Sequence, residues 1–302
     1  MTNLRQPTTV GILYAGEMGS ALGRLFRKSG LRVVTTGQQR SRQTEEQAHC
    51  SGIELLPGFE DVVVQSDIVF SLVLPVAAVD VARKYADHHQ LRPPGSIFVE
   101  ANSIGLEILQ QIEQLMAKCD TPLVDAAIHG TANQLEKLSV LYVSGPQAKR
   151  VEEIFCDILR VSWLSEEIGS ASRMKMLMAA MSKSLVGMFL EISSLAERVD
   201  MLELFLENCQ LFYPGIMSSI ERTLPSYPRH GARRANELRE VEKMAHLSQM
   251  HPHIIHAAGE FLRLVANIDW NQKDPGSLDT PTIIRSVTEA CRPFELQPEN
   301  SQ

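Results

Sequence analysis

The sequence predicts a doubly wound α/β domain followed by an all-helical domain, and three observations predict it. Through the first half, short apolar runs alternate with helical patterns, as βαβ units require. The opening run, Thr9 to Leu13, turns at once through glycines into a helical pattern that begins near Glu17. From about Glu166 the strand signals fade and apolar residues recur at helical spacing. The 302 residues suit two domains, with 1–166 as the α/β domain and 167–302 as the helical one.

The elements follow in order. Thr9–Leu13 is the first strand, and Met18, Leu22, Leu25 and Phe26 lie on one side of the helix after it. Leu31–Thr36 is the second strand and closes a βαβ unit. Gly52–Leu55 is a short extended piece. Ser66–Pro75 holds a near-continuous apolar run that stops at a proline, the mark of a strand buried on both faces. Strands are also expected at Gly95–Glu100, Pro122–Ala127, Ser139–Val143 and Arg160–Leu164. The stretch from Ala171 to Val199 has no proline and one glycine, Gly187, and its methionines and leucines recur at helical spacing. A helix of roughly 28 residues would be about 42 Å long. Further helical patterns run through Leu202–Phe212, Gly215–Thr223, Ala232–Leu247 and Ile254–Val265, and the tail from Phe294 to Gln302 is polar and expected to fray.

The first turn carries a damaged dinucleotide fingerprint. In G-x-G-x-x-G the glycines allow a tight turn, close approach of a pyrophosphate and close helix–strand packing. Here the three positions hold Tyr14, Gly16 and Gly19. Two glycines of three also fit an ordinary strand–helix turn, but the βαβ context favours an α/β Rossmann-type domain that places a pyrophosphate on helix amides. Tyr14, Ala15, Gly16, Glu17, Met18 and Gly19 are then the phosphate-side contacts. The position that reads the ribose lies about 20 residues further on, where an acid would bind the 2′-hydroxyl of NAD. No Asp or Glu stands between Thr35 and Thr44. Thr36, Arg40 and Ser41 stand there instead, suited either to the 2′-phosphate of NADP(H) or to a solvated loop.

Composition narrows the classes. Hydrophobic residues make up 44% and charged residues 22%, ordinary for a globular chain. A net charge of -7 argues against non-specific nucleic-acid binding. The five cysteines form no C-x-x-C pair and no metal-ligand spacing, so no metal is expected and reduced thiols in a cytoplasmic protein are. Met1–Pro7 has no apolar signal character, and no apolar run approaches the ~20 residues that span a bilayer.

Four ordered blocks carry a resemblance. They are Gly16-Glu17-Met18-Gly19, the strand ending Leu74-Pro75, Asp125-Ala126-Ala127-Ile128-His129-Gly130, and Gly169-Ser170-Ala171-Ser172-Arg173-Met174-Lys175. In these the chain resembles the β-hydroxyacid dehydrogenase / 6-phosphogluconate dehydrogenase superfamily over most of its length. The back half, with Lys175-Met176-Leu177, Lys183 and Arg233-Arg234-Ala235-Asn236-Glu237-Leu238, looks most like a poorly characterised subfamily with its own helical C-terminal domain. The resemblance implies that Leu74 and Pro75 flank the cofactor, and that Asn102 and Ser103 lie beside substrate and nicotinamide. Asn102 also suits a turn that caps a helix. The Asp125 block matches a substrate loop usually written D-A-P-V-S-G-G, with His129 in the serine position and Gly130 after it. His129 could orient a carboxylate or serve a plain structural role.

Lys175 is the expected acid/base by that resemblance. A lysine on an amphipathic helix ordinarily snorkels. Its neighbours Met174, Leu177 and Met178 are apolar, and partial burial among them would disfavour the cation and make the amine usable near neutral pH. The usual helpers are missing: the position four residues on is Ala179 where the family has Asn, and seven residues on is Ser182 where true 6-phosphogluconate dehydrogenases have Glu. Decarboxylation is therefore not expected, whereas simple hydride transfer needs no second acid. Lys183, about 80° round the helix, is the nearby replacement. Arg233 and Arg234 belong to a charge-interleaved helix that is either solvated, with i,i+4 pairs, or reaches an anionic substrate.

The expected function is NADP(H)-dependent hydride transfer to or from a β-hydroxy acid, keto acid or related small carbonyl. The alternatives are an imine reductase on the same scaffold, whose members usually replace the lysine, and a cofactor-binding protein without turnover. A homodimer is expected through the long helix, on Leu190, Ile192 and Leu195.

Overall fold

The computed structural model describes residues 9–270 and 278–291; the expectations for Met1–Pro7 and for Phe294–Gln302 lie outside the described residues. Eight short apolar runs form one sheet: β1 (Thr9–Leu13), β2 (Arg32–Thr36), β3 (Glu54–Leu56), β4 (Ile68–Ser71), β5 (Ile97–Glu100), β6 (Leu123–His129), β7 (Val140–Ser144) and β8 (Val161–Ser165). Their order is β3-β2-β1-β4-β5-β6-β7-β8. Every pair is parallel except β6–β7. The expected α/β Rossmann-type class is thus the observed one, with each anticipated strand in place.

The strands β1, β4 and β5 are buried along their whole length, because helices cover both faces. The helices are α1 (Glu17–Lys28), α2 (Arg42–Cys50), α3 (Phe59–Gln65), α4 (Ala78–Asp87), α5 (Leu106–Lys118) and α6 (Ala148–Phe155). One face of the sheet buries Phe26, Phe70 and Phe155, with the Phe26 and Phe155 rings stacked at 4.5 Å. The other buries Phe59, Tyr85 and Phe98. Strand order reverses between β1 and β4, which opens a crevice at the carboxyl ends of those strands. Gly19 keeps α1 tight on the sheet: a Cβ there would stand 2.4 Å from the Tyr14 carbonyl oxygen.

The chain divides into two compact units between Lys175 and Met176. The division falls inside α7 (Ser170–Arg198), the long helix expected from the sequence. The second unit contains α8 (Leu202–Phe212), α9 (Pro214–Thr223), α10 (Tyr227–Leu247), α11 (His253–Ala266) and α12 (Thr280–Ala290). Its core gathers Phe189, Leu190, Leu224, Leu238, Leu262 and Ile284. Helices α10 and α11 approach closely at Gly231, where a Cβ would meet the Ala266 Cα at 3.2 Å. The sequence pattern does not announce α12, whose Thr, Ile and Val content reads as strand. Its start is nevertheless well signalled, since Asp279 accepts the Thr282 amide at 2.8 Å and Pro281 stands in the first turn.

The expectation about bilayer-spanning runs needs one correction. By length and composition alone α7 could cross a membrane, with a mean hydropathy of 1.3 over 18 residues. Its interruptions are single polar residues that a windowed average forgives, and a helix packed on its own core passes the same test.

Candidate active site

Parallel pairing brings the carboxyl ends of β1, β2, β4, β5 and β6 to one edge of the sheet. Tyr14–Gly19, Thr36–Ser41, Leu74–Pro75, Asn102–Ser103 and His129–Gly130 all follow or end those strands. This is the edge where open α/β sheets bind ligands.

At the end of β1 the chain turns with the Gly16 amide donating to the Tyr14 carbonyl at 2.9 Å. Gly16 precedes α1 with no side-chain cap on the helix, and a Cβ built on it would meet nothing within 4 Å. An uncapped helix start beside open space fits a pyrophosphate. Tyr14 is not solvent-facing. Its side chain is 9% exposed, and burial raises its phenol above the ordinary value, opposed by Arg40.

After β2, the Thr36 hydroxyl accepts the Gln38 amide at 3.1 Å and the Arg40 amide donates to the Gly37 carbonyl at 2.9 Å. Ser41 caps α2, accepting the Thr44 amide at 3.3 Å. Arg40 is thereby fixed at its backbone, and its guanidinium lies over the Tyr14 ring, 4.2 Å from the centroid. Among the described residues it makes no ion pair. An acid is nevertheless near this strand end. Glu45 folds back from α2, its Oε1 only 2.5 Å from where a Gly37 Cβ would stand. Reading along the chain misses it because it arrives through space.

After β4, Leu74 is 73% exposed, with Pro75 beside it. After β5, Asn102 is buried and its carboxamide is committed: Oδ1 accepts the Val73 amide at 2.5 Å and Nδ2 donates to the Ser71 hydroxyl at 2.9 Å. It latches the two loops together. Its own amide donates to Glu100 Oε1 at 3.0 Å. Glu100 is fully buried and its Oε2 has no partner. Burial, with Asp125 beside it in register, pushes the carboxyl up to about 8. Glu100 is therefore neutral at pH 7.

The least anticipated feature is Asp125. Buried on β6, it accepts four hydrogen bonds: from the Gly169 amide at 3.0 Å, the Ser172 amide at 3.0 Å, the Ser172 hydroxyl at 2.6 Å and the Ser144 hydroxyl at 3.0 Å. Ser144 in turn accepts the Ala171 amide at 3.0 Å. The free amides at the start of α7 are thus satisfied by side chains from β6 and β7, a cap supplied from distant sequence. One turn on, the Lys175 Nζ donates to the Ser103 hydroxyl at 2.6 Å. Two expected site residues, 72 positions apart, meet at the ligand-binding edge. Leu177 and Met178 are exposed, 53% and 37%, so the anticipated apolar shroud around the amine is incomplete in the single chain.

His129 is half-buried at the end of β6. Gly130 has a φ of +135° and lies against Ser139, which leaves no space for a side chain. In the second unit Lys183 is bound to Glu237 at 2.7 Å. Arg234 covers the Tyr227 ring at 3.9 Å and donates to the Ser226 hydroxyl at 2.7 Å. Arg233 is exposed and 3.8 Å from Glu237, the more available cation of the two.

Comparison with known proteins agrees with this layout. Residues 9–161 match the NAD-binding domain of 6-phosphogluconate dehydrogenase, and residues 196–265 match a domain of unknown function, DUF1932. An uncharacterised 28.5 kDa protein of Methanothermus fervidus is 28% identical over 78% of this chain and 89% of its own. The 3-hydroxyisobutyrate dehydrogenase of Mycobacterium tuberculosis, solved with L-serine, superposes with a TM-score of 0.72 at 16% identity, covering 93% of this chain and 99% of its own. An imine reductase from Myxococcus stipitatus, solved with NADP+, gives 0.59 at 19% identity over 93% and 100%. At those identities the two structures share the fold. The first domain match spans half of the chain, which belongs to the 6-phosphogluconate dehydrogenase-type NAD(P)-binding family and carries the DUF1932 domain behind it.

Proposed function

We propose that the protein is an NADP(H)-dependent oxidoreductase that transfers a hydride to or from a β-hydroxy acid, keto acid or related small carbonyl compound, with Lys175 as its general acid/base. The observation that carries this reading is Lys175 meeting Ser103 at the carboxyl edge of the sheet, on a helix whose first turn is tied to Asp125. Bound NADP(H) supplies or accepts the hydride. The open backbone at Gly16, the uncapped start of α1 with Glu17, Met18 and Gly19, and the exposed Leu74–Pro75 segment are the residues that would hold it. Arg40 and Ser41 favour the 2′-phosphate. A charge-assisted contact of that kind gives about 10- to 150-fold in affinity.

The chain's own chemistry is a proton transfer. In reduction the Lys175 ammonium gives its proton to the substrate oxygen; in oxidation the amine takes it from the hydroxyl. Ser103 accepts a hydrogen bond from the amine and fixes its direction. Asn102 keeps its loop in register. Of the expected substrate contacts, His129 ends β6 in the first unit, and Lys183 lies in the second, bound to Glu237. With Ser182 seven residues after the lysine, no second acid stands on its face, which suits hydride transfer without decarboxylation.

The protein is read as a homodimer. Met181, Met188, Ile192, Leu195 and Val199 of α7 are each at least 43% exposed and share one stripe. Leu190 is buried in its own core and takes no part. Five unpaired thiols suit a reducing cytoplasm.

The test is NADPH oxidation against a panel of keto acids and cyclic imines. Turnover of a keto acid is the expected result. Turnover of imines alone would make it an imine reductase, and NADPH binding with no turnover on either would make it a cofactor-binding protein.

A further inference from the structure

The sequence leaves one oddity that the proposed chemistry does not absorb. A tyrosine stands where the fingerprint calls for a glycine, at the tightest point of the nucleotide turn. We propose that Tyr14 is a specificity-determining platform: its ring holds the Arg40 guanidinium at the ribose end of the groove, so that preference for a 2′-phosphorylated dinucleotide depends on Tyr14 as well as on Arg40. This rests on the NADP(H) reading.

Three features carry it. Tyr14 follows β1 and Arg40 follows β2, neighbouring strands whose carboxyl ends flank the ribose position in this fold. The guanidinium sits 4.2 Å from the ring centroid, within the range of a cation–π contact. Both partners are positioned by other contacts. The Tyr14 amide donates to the Leu72 carbonyl at 3.3 Å, and the turn bearing Arg40 is closed by the Gly37 carbonyl and followed by the Ser41 cap. Burial keeps the phenol protonated, so the ring face and not an anion meets the cation. Arg40 makes no ion pair among the described residues, which leaves its N–H groups for a phosphate. An unsupported arginine on an exposed loop would have to be ordered at each binding event, at a cost in affinity. Glu45, folded against Gly37, opposes a 2′-phosphate by its charge, which makes a firmly held arginine the more necessary.

The experiment measures dissociation constants for NADPH and NADH by fluorescence titration, on full-length protein. The variants are Arg40→Ala, Tyr14→Phe, Tyr14→Leu and the Tyr14→Leu/Arg40→Ala double. Circular dichroism melts check that each is folded. Tyr14→Phe keeps the ring and should keep the NADPH:NADH preference within two-fold, and it remains informative if the leucine variant does not fold. Tyr14→Leu should lower the preference, read as the ratio of the two dissociation constants, about two- to five-fold, the size of an exposed cation–π contact. In the Arg40→Ala background it should change the preference no further, which a merely structural tyrosine would not satisfy.

Unchanged preference in Tyr14→Leu, beside a clear loss in Arg40→Ala, overturns the platform and leaves the NADP(H) reading standing. A Tyr14→Phe variant that loses the preference also overturns it, since the ring face is then not what matters. Tighter binding of both nucleotides in Tyr14→Leu would show that the stack covers the groove, again against the platform. No NADPH preference in the parent protein, with Arg40→Ala equal to it, removes the NADP(H) reading itself.

Discussion

Replacing Glu100 with glutamine should make the protein more resistant to alkali, with an advantage that grows from pH 6 to pH 9. Glu100 ends β5 with no exposed surface to speak of, and only Oε1 is satisfied, by the Asn102 amide at 3.0 Å. A charge there has lost its water and has Asp125 across the β5–β6 pair. Its carboxyl is accordingly pushed from 4.5 up to about 8. The sign follows from proton binding. Between those two values the folded chain holds a proton that the unfolded chain has released, so stability falls as pH rises through that window and the loss ends above the folded value. From pH 6 to pH 9 the loss is about 2–3 kcal/mol from this group. Glutamine is isosteric with the neutral acid, keeps the acceptor for Asn102 and cannot ionise. Urea unfolding at pH 6 and pH 9 is the assay. It is followed by Trp163 in a Trp270→Phe background, because Trp163 is then the only tryptophan and lies in the first unit. Glu100→Gln should be the more stable at both pH values, by about 2 kcal/mol at pH 6 and by about 2–3 kcal/mol more at pH 9. Parallel loss in both proteins would refute the reasoning, as would a large deficit of the glutamine variant at pH 6.

Asp125→Asn replaces a four-fold acceptor with a group that can accept at one atom only; the same assay should show a loss of about 2–4 kcal/mol. Turnover should fall with it, because the start of the helix bearing Lys175 loses its tie, and a loss below about 1 kcal/mol would mean that Asp125 is not the anchor. Light scattering should give twice the chain mass at micromolar concentration, as an obligate interface of about 2,000 Å² or more implies. Leu195→Glu should shift it toward the monomer, and a parent protein that is already monomeric removes the dimer.

Much of the fold is legible in the residues because strands buried on both faces must be continuously apolar. Val10–Leu13, Ile68–Phe70 and Ile97–Val99 announce themselves for that reason. The methionine-rich helix is equally plain, since nothing between Ser170 and Arg198 breaks it. The site is less legible, because its connections are made across the fold. Asp125 reads as the first letter of a loop motif, and nothing local tells that it will be buried with donors 19 to 47 residues away. Glu45 lies outside the window in which a ribose-reading acid is sought, yet the turn at Gly37 brings its carboxylate to the strand end. Asn102 reads as a ligand contact or a turn residue, and its carboxamide is spent on Val73 and Ser71. Lys175 could be named from its motif but its partner could not. Ser103 becomes its neighbour only once β5 and the anchored start of α7 lie together.

The most direct test of the whole account is the turnover of Lys175→Met, measured with the best substrate of the panel beside the NADPH dissociation constant. Methionine preserves length and apolar packing and removes the titrating amine. Turnover should fall by about 10²–10⁴-fold, the contribution of a general acid/base, with NADPH affinity within a few-fold of the parent. Activity that stays within a few-fold of the parent would contradict the assignment, and so would activity and cofactor binding lost together, which would make Lys175 a structural residue.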